Sequence, residues 1–152
     1  MVDNLRVVRV IADYQFGKGA GNALFPDTCR FLLSKNGKIR QILDGDRRIA
    51  TLKADSGLLT LSIEGASRLQ KIFPFPKLRV VVLNEVSEFI ADGKSVFARH
   101  VVLVDDRIRA NDEVLVVNER DELLATGKAL LSASEMLEIK KGVAVKTRQG
   151  SE

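Results

Sequence analysis

The sequence predicts an α+β amino-terminal domain, an antiparallel sheet with helices, followed by a mainly β second domain. Three observations carry this. Short apolar runs between Thr28 and Ile63 are separated by turn dipeptides, and Phe73-Pro74-Phe75-Pro76 interrupts the chain near its middle. Beyond that interruption, strand-like runs recur at close spacing with only two brief helical patterns among them.

A chain of 152 residues holds one ordinary domain or two small ones. Its hydrophobic fraction of 45% supplies a core, and no apolar run reaches the roughly 18 residues that would span a bilayer. The opening Met-Val-Asp-Asn-Leu-Arg lacks the basic region, apolar segment and cleavage site of a secretory signal, so a cytoplasmic address is expected. Cys29 is the single cysteine, which excludes an intrachain disulfide and a cysteine-built zinc site; it reads as a small buried residue. Net charge is +4, unevenly spread: residues 1–76 carry 12 Lys and Arg against 7 Asp and Glu (+5), and residues 77–152 carry 12 against 13 (−1). Clustered cations suit a polyanion, because phosphate contacts need no sequence recognition.

Leu5 to Phe16 suits either a helix or a valine-rich strand; a helix is preferred, with Val7, Val10, Ile11 and Tyr14 as its stripe. Residues 17–22, Gly-Lys-Gly-Ala-Gly-Asn, lack the Gly-Lys-Ser/Thr ending of a nucleotide-binding loop and read as a mobile connection from which Lys18 could touch a phosphate. Asn36-Gly37 joins strands Thr28–Ser34 and Lys38–Leu43, since both positions of the favoured tight turn take positive φ. Turns at Asp44-Gly45 and Asp55-Ser56-Gly57 lead to strands Arg47–Lys53 and Leu58–Ile63. A helix from about Glu64 to Ile72 follows, with Ala66, Leu69 and Ile72 facing the sheet. Lys38, Arg40, Arg47 and Arg48 would form a cationic strip if they share the exposed face.

The Phe-Pro-Phe-Pro segment breaks the helix and sets the expected boundary between domains 1–76 and 77–149, with both phenylalanines buried at the joint. Arg79–Leu83 is a strand, and Asn84 caps a short helix that buries Val86, Phe89 and Ile90 and stops at Gly93. The strand after it sends Val96, Ala98 and His100 to one face and Ser95, Phe97 and Arg99 to the other. Strands Asp112–Asn118 and Leu123–Leu131 follow, the latter with Gly127 inside as a bulge or close approach. Ser132-Ala133-Ser134-Glu135 is a capping box, and Val143–Thr147 is the last strand. Together these suggest a small, closed or nearly closed β barrel.

Gly-Lys-Ser-Val-Phe-Ala-Arg-His-Val-Val at 93–102, Asp112 to Val117, Leu123 to Ala129 and Lys141 to Arg148 resemble a PUA domain over about 77–148. Tyr14 to Gly21, Gly37 to Arg40 and Leu58 to Ala66 resemble the small α+β domain that precedes PUA in archaeal tRNA-guanine transglycosylases. The resemblance implies a PUA-type pseudo-barrel after an α+β pre-PUA domain, without the catalytic barrel, whose paired aspartates and zinc site a chain with one Cys and one His cannot supply. It also implies RNA binding, through Gly93, Lys94, Ser95 and Arg99 with Lys128, Lys146 and Arg148 from later strands, and a tRNA acceptor stem and 3′ end as the ligand. Lys18, Lys38, Arg40, Arg47 and Arg48 are possible secondary contacts. Phe97 could stack an unpaired base or belong to the core.

No catalytic constellation, cofactor or metal site is expected. His100 has no nucleophile or carboxylate beside it in a recognised motif and reads as a packed or surface residue. Asp105-Asp106, and Asp44 with Asp46, read as turn carboxylates, and the acidic turn Glu119 to Glu122 should point away from RNA. The expected function is tRNA binding in support of tRNA modification, possible partners being tRNA and a tRNA-modifying enzyme. The alternatives are a protein-interaction subunit of a split transglycosylase and, more distantly, a small RNA-modifying enzyme.

Overall fold

The computed structural model describes residues 3–152. The chain divides into two compact units, one ending at Ile72 and the other spanning Phe73–Glu152.

In the first unit, α1 (Asn4–Phe16) begins where the Asp3 carboxylate accepts the N–H groups of Leu5 and Arg6. Its buried stripe is Val8, Ala12 and Phe16. The stripe expected from sequence lies on the other side: Val7, Val10 and Tyr14 are exposed, Tyr14 at 84%. The helix has two apolar stripes, and the one containing small Ala12 admits the closest neighbour. That neighbour is α2 (Ala20–Leu24), which replaces the expected mobile loop. A Cβ on Gly21 would lie 2.4 Å from the Arg9 carbonyl oxygen, and the Gly21 N–H donates to Asp13 Oδ1 at 2.7 Å. Gly21 thus permits helix contact, not ligand contact.

Strands β1 (Arg30–Leu33), β2 (Ile39–Asp44), β3 (Arg47–Leu52) and β4 (Leu59–Leu61) form an antiparallel meander in that order, as the turn dipeptides predict. The Gln15 side chain of α1 covers the outer edge of β4: its amide donates to the Leu59 carbonyl and accepts the Leu59 N–H, both at 2.8 Å. One side chain here occupies the place of a fifth strand and blocks edge pairing. On α3 (Ile63–Ile72), Ala66 and Leu69 are buried but Ile72 is 44% exposed, contrary to expectation. Cys29 is half-buried, one residue ahead of β1; partial burial and then the Asp44 carboxylate push its thiol pKa up.

The second unit contains β5 (Arg79–Val82), a 3-10 turn at Asn84–Val86, α4 (Ser87–Ala91), β6 (Val96–Phe97), a 3-10 turn at Ala98–His100, β7 (Val101–Val104), β8 (Glu113–Asn118), β9 (Leu123–Ala129), α5 (Ala133–Ile139) and β10 (Val143–Gly150). Phe73 is buried but Phe75 is 44% exposed, so only one of the two is core. The Arg79 guanidinium, fully inside, donates to the Phe73 and Lys77 carbonyls at 2.9 Å and to both Asp121 oxygens at 3.2 Å. Asn84 caps no helix; its N–H donates to Glu119 Oε2 and its side-chain oxygen accepts the Glu119 N–H. Phe89 is 65% exposed, leaving Ile90 as the buried anchor of α4.

Sheet order is β6-β10-β9-β8-β5-β7, antiparallel throughout except for parallel β5 and β8. The outermost strands β6 and β7 are separated in sequence only by Ala98–His100. Three residues reach no more than about 10 Å, so the sheet must curl until its ends nearly meet. This makes the unit a nearly closed pseudo-barrel, filled by Val80, Val82, Val96, Val101, Val114, Val116 and Met136 among others. Gly127 is a close approach: a Cβ there would lie 2.4 Å from the Lys146 carbonyl oxygen. The capping box is present, with Ser132 Oγ accepting the Glu135 N–H and Glu135 Oε1 accepting the Ser132 N–H.

Candidate nucleic-acid interface

The expected continuous strand from Ser95 to Val102 is broken. After Val96 and Phe97 the 3-10 turn buries Ala98 and resets the alternation, so His100 does not share the inner face with Val96 and Ala98. Instead it joins Phe97 and Arg99. The Phe97 and His100 rings meet edge to face with centroids 6.2 Å apart, and Arg99 Cζ lies 5.2 Å from the Phe97 centroid. Arg99 Nε donates to His100 Nε2 at 3.4 Å. Phe97 is 43% exposed and is therefore not core. The turn is pinned from both sides, by the Ala98 N–H to the Gly142 carbonyl at 2.9 Å and the Leu83 N–H to the His100 carbonyl at 3.0 Å.

Next to this cluster, Val143 pairs with Phe97. That pairing brings the Lys140-Lys141-Gly142 run alongside, a basic group that sequence reading did not single out. Lys140 Nζ donates to the Val101 carbonyl at 2.8 Å, and Lys141 is exposed. The available signal was a pair of lysines at the carboxy-terminal end of a capped helix, where cations oppose the helix dipole.

Gly93, with φ +102°, ends α4: its N–H donates to the Ile90 carbonyl, and that of Lys94 to Phe89. Lys94 is exposed, while Ser95 is half-buried and its Oγ accepts the Thr147 N–H at 3.4 Å. The end of β10 packs hard against this corner, since a Cβ on Gly150 would lie 2.1 Å from the Ala91 carbonyl oxygen and 2.8 Å from the Gly93 nitrogen.

The remaining expected residues form a separate row. Lys146 stands opposite Lys128, and Lys128 opposite Glu113, so all three share one sheet face, with both lysines exposed and Glu113 buried. Arg148 is bound in a bidentate pair to Glu113: Nη1 donates to Oε2 at 2.6 Å and Nη2 to Oε1. Its first task is to neutralise a buried carboxylate. Lys94–Ser95, Phe97–Arg99–His100 and Lys128–Lys146 thus stand as three groups carried by the edge of β6, the closing turn and the β9–β10 pair.

Among the secondary residues in the first unit, Lys18, Lys38 and Arg40 are exposed. Arg47 is paired with Glu64 at 2.9 Å, and Arg48 donates to Thr51 Oγ1 at 3.1 Å, so the cationic strip is partly committed to internal contacts. The hub is Arg68, which sequence reading missed. It binds Asp44 at 3.0 Å, Glu64 at 2.9 Å and the Leu24 carbonyl at 3.0 Å. Hydrogen bonds from Arg68, first among the causes, hold both carboxylates below their usual range. Asp44 is thereby more than a turn residue. In the acidic turn, Asn118 and then Arg120 lower the Glu122 pKa, and Asp121 serves Arg79. Among the described residues no group of His, Cys, Asp and Glu is placed to hold a metal, and no helix is long and apolar enough to cross a membrane.

Residues 6–76 match the patch-forming domain C2 of tRNA-guanine transglycosylase, and residues 78–150 match the PUA domain. The chain is a C2 domain followed by a PUA domain. It is 56% identical over 150 residues to the tRNA-guanine(15) transglycosylase of Methanothermobacter thermautotrophicus, covering 98% of this chain and 23% of that enzyme. It is 52% identical to the Pyrococcus furiosus enzyme, covering 95% of this chain and 24% of that one. The C2–PUA chain therefore spans about a quarter of the length of the curated relatives it matches, and corresponds to their carboxy-terminal region. Among solved structures it superposes on a hypothetical protein from Pyrococcus horikoshii with a TM-score of 0.76 and 25% identity, covering 97% of this chain and 90% of that one. A conserved PUA domain protein from Thermoplasma acidophilum shares the fold, with a TM-score of 0.57 over 72% of this chain and 68% of that one at 24% identity.

Proposed function

We propose that the C2–PUA chain binds tRNA, at the acceptor stem and its 3′ end, in support of tRNA modification. The observation that carries this is the closing turn of the PUA unit, which presents an aromatic ring, an imidazole and a guanidinium together at the surface. Lys94 and the Lys128–Lys146 pair supply cations for phosphates, Gly93 and Ser95 shape the corner between them, and Phe97 offers a stacking face for an unpaired base. Stem recognition is by shape and backbone, because an A-form helix exposes little readable base sequence in its accessible groove. Kinship with tRNA-guanine transglycosylases supports tRNA as the RNA. Arg148 contributes by offsetting the negative charge of Glu113 beside the lysine row. Lys18, Lys38 and Arg40 are secondary contacts in the C2 unit, and Arg47 and Arg48, which also bind Glu64 and Thr51, are weaker ones.

Mobility shifts with tRNA transcripts at about 50 and 200 mM salt test the reading; each neutralised phosphate adds roughly 0.7 to 0.9 to the log–log salt slope. Binding that weakens steeply with salt and is reduced by removing the unpaired 3′ nucleotides is expected. Absence of binding at low salt refutes it.

A second reading, a non-catalytic subunit completing a split transglycosylase, is favoured by one fact: the same pair of domains is joined, in the relatives, to a larger body. The two readings are compatible, since a subunit that delivers tRNA must also bind it.

A further inference from the structure

We infer that the outer face of β6, β10 and β9 is one track for a single-stranded RNA segment, with an unpaired base on a platform of Phe97, Val143 and Leu130 and the adjoining phosphate held between Lys128 and Lys146. The inference rests on the RNA reading above and deepens it, since it joins two of the three surface groups and adds Val143 and Leu130 to them. Register places the platform. Val143 stands opposite Phe97, and Leu130 lies on the other side of that step, its N–H donating to the Ala144 carbonyl at 2.8 Å. Ala129 is in the core and Leu131 packs against it, so alternation turns Leu130 outward, where it is 40% exposed. A bulge in β10 then brings in the cations. Strict alternation from Val143 would send Val145 outward and Lys146 inward. The register shift between Val143 and Val145 instead sends Ala144 and Val145 both into the core and returns Lys146 to the face of Val143. Lys128 lies two residues from Leu130 and Lys146 three from Val143, so the cations stand about 7 to 10 Å from the platform.

The cation pair is built in a way that the fold alone does not favour. Lys146 is directly opposite Lys128, and like charges in that relation destabilise a sheet. The carboxylate next in the row, Glu113, is opposite Lys128 but is buried and committed to its bidentate pair with Arg148. Three cations against one carboxylate leave this face with an excess of positive charge, and a phosphate between the two ammonium groups would relieve their repulsion. A flat apolar platform beside paired cations is the combination by which single-strand binders hold bases and backbone together. A second copy of the chain would set one positive face against another, and an acidic peptide would make no use of the ring platform.

The test titrates the full chain with two labelled RNAs, a blunt duplex of acceptor-stem sequence and the same duplex bearing a short unpaired 3′ overhang. Leu130→Gln with Val143→Thr should weaken binding of the overhang-bearing RNA at least about fivefold relative to the blunt duplex, the low end for one stacked base. Circular dichroism reports whether that variant is folded; if it is not, Leu130→Gln alone, at an exposed position just past β9, replaces it. Lys128→Gln with Lys146→Gln should flatten the log–log salt slope for the overhang-bearing RNA by about 0.7, the share of one single-strand phosphate, and not by about 1.4, the share of two. Without RNA, either lysine substitution alone should raise Tm by about 1 to 5 °C at low salt and by less at high salt, as relief of a cross-strand repulsion requires. A folded platform variant that binds the overhang-bearing RNA as wild type does, a slope change of two phosphates, an unchanged or lowered Tm, or polyglutamate competing as well as the RNA overturns the inference and leaves tRNA binding standing. Wild type that binds no tRNA at low salt refutes the RNA reading and the inference with it.

Discussion

Charge reversal at the PUA corner gives the most direct reading of the proposed RNA surface. Lys94→Glu together with Arg99→Glu changes two exposed cations, one at the end of α4 and one on the closing turn. Contact attraction of an exposed ion pair is about 1 kcal/mol in water, and reversal turns it into repulsion of similar size. Over two sites, with roughly half removed by screening at 0.1 M salt, about 2 kcal/mol of binding is lost, or roughly thirtyfold in Kd. The salt slope should also flatten by about 1.4 to 1.8, the share of two phosphates. Folding should survive, because Arg99 contributes only an exposed contact with the Phe97 ring and a long hydrogen bond to His100. The control is Arg107→Glu with Arg120→Glu, which alters net charge by the same amount on turns that carry none of the proposed contacts. Titration of labelled tRNA against all three folded proteins decides. Wild-type affinity in the first double variant means that the RNA surface lies elsewhere, and an equal loss in the control means that only overall charge was measured.

Further outcomes follow from the same geometry. Phe97→Leu should weaken binding of RNA bearing unpaired 3′ nucleotides by about 1 to 3 kcal/mol while leaving a blunt duplex unaffected, read by competition titration; equal loss for both ligands would remove the stacking role. Gly127→Ala, which places a methyl group 2.4 Å from the Lys146 carbonyl oxygen, should cost about 1 to 3 kcal/mol and lower Tm in calorimetry by several degrees; an unchanged Tm would mean that β9 and β10 separate freely. Asp44 and Glu64 are held below the usual carboxylate range, so the stability they contribute is complete above about pH 4.5 and disappears as pH falls toward their lowered folded values. Arg68→Met should therefore lower the urea midpoint at pH 7 and narrow the gap to wild type near pH 3; parallel curves would deny Arg68 that role.

Features set by a few adjacent residues were legible in the sequence. Asn36-Gly37, Asp44-Gly45, the Ser132–Glu135 capping box and the Gly93 helix stop each act within four residues and mark the right places, although at Asn36-Gly37 only the glycine takes positive φ, so the loop there is not the tight turn with two positive-φ residues that the dipeptide predicts. The buried side of α1 was not legible, because two apolar stripes compete and only packing of Gly21 against Arg9 chooses between them. The role of Arg148 depends on a partner 35 residues away, and that of Arg68 on carboxylates 4 and 24 residues away. Such pairings follow from strand register and helix placement, which alternation alone does not encode. The break at Ala98–His100 was missed for a related reason: locally the run Val96 to Val102 suits an uninterrupted strand, and only closure of the sheet forbids it.

That closure links fold to proposed function. Because β6 and β7 stand at opposite ends of the sheet order yet follow one another in sequence, the chain must pass between them in a tight turn. A turn of three residues has room to bury one small side chain, and Ala98 is that residue, at 0% exposure. Its neighbours Phe97, Arg99 and His100 are thereby turned outward, where they meet one another. An uninterrupted strand would have kept Phe97 and Arg99 on one face and sent His100 to the other, with Val96 and Ala98. The aromatic and cationic cluster is thus a geometric consequence of closing the barrel, held by backbone hydrogen bonds to Gly142 and Leu83 that do not depend on the identity of the exposed side chains. A surface built in this way can exchange its outward residues at little cost to the fold, which is the property expected of a binding corner set on a rigid scaffold.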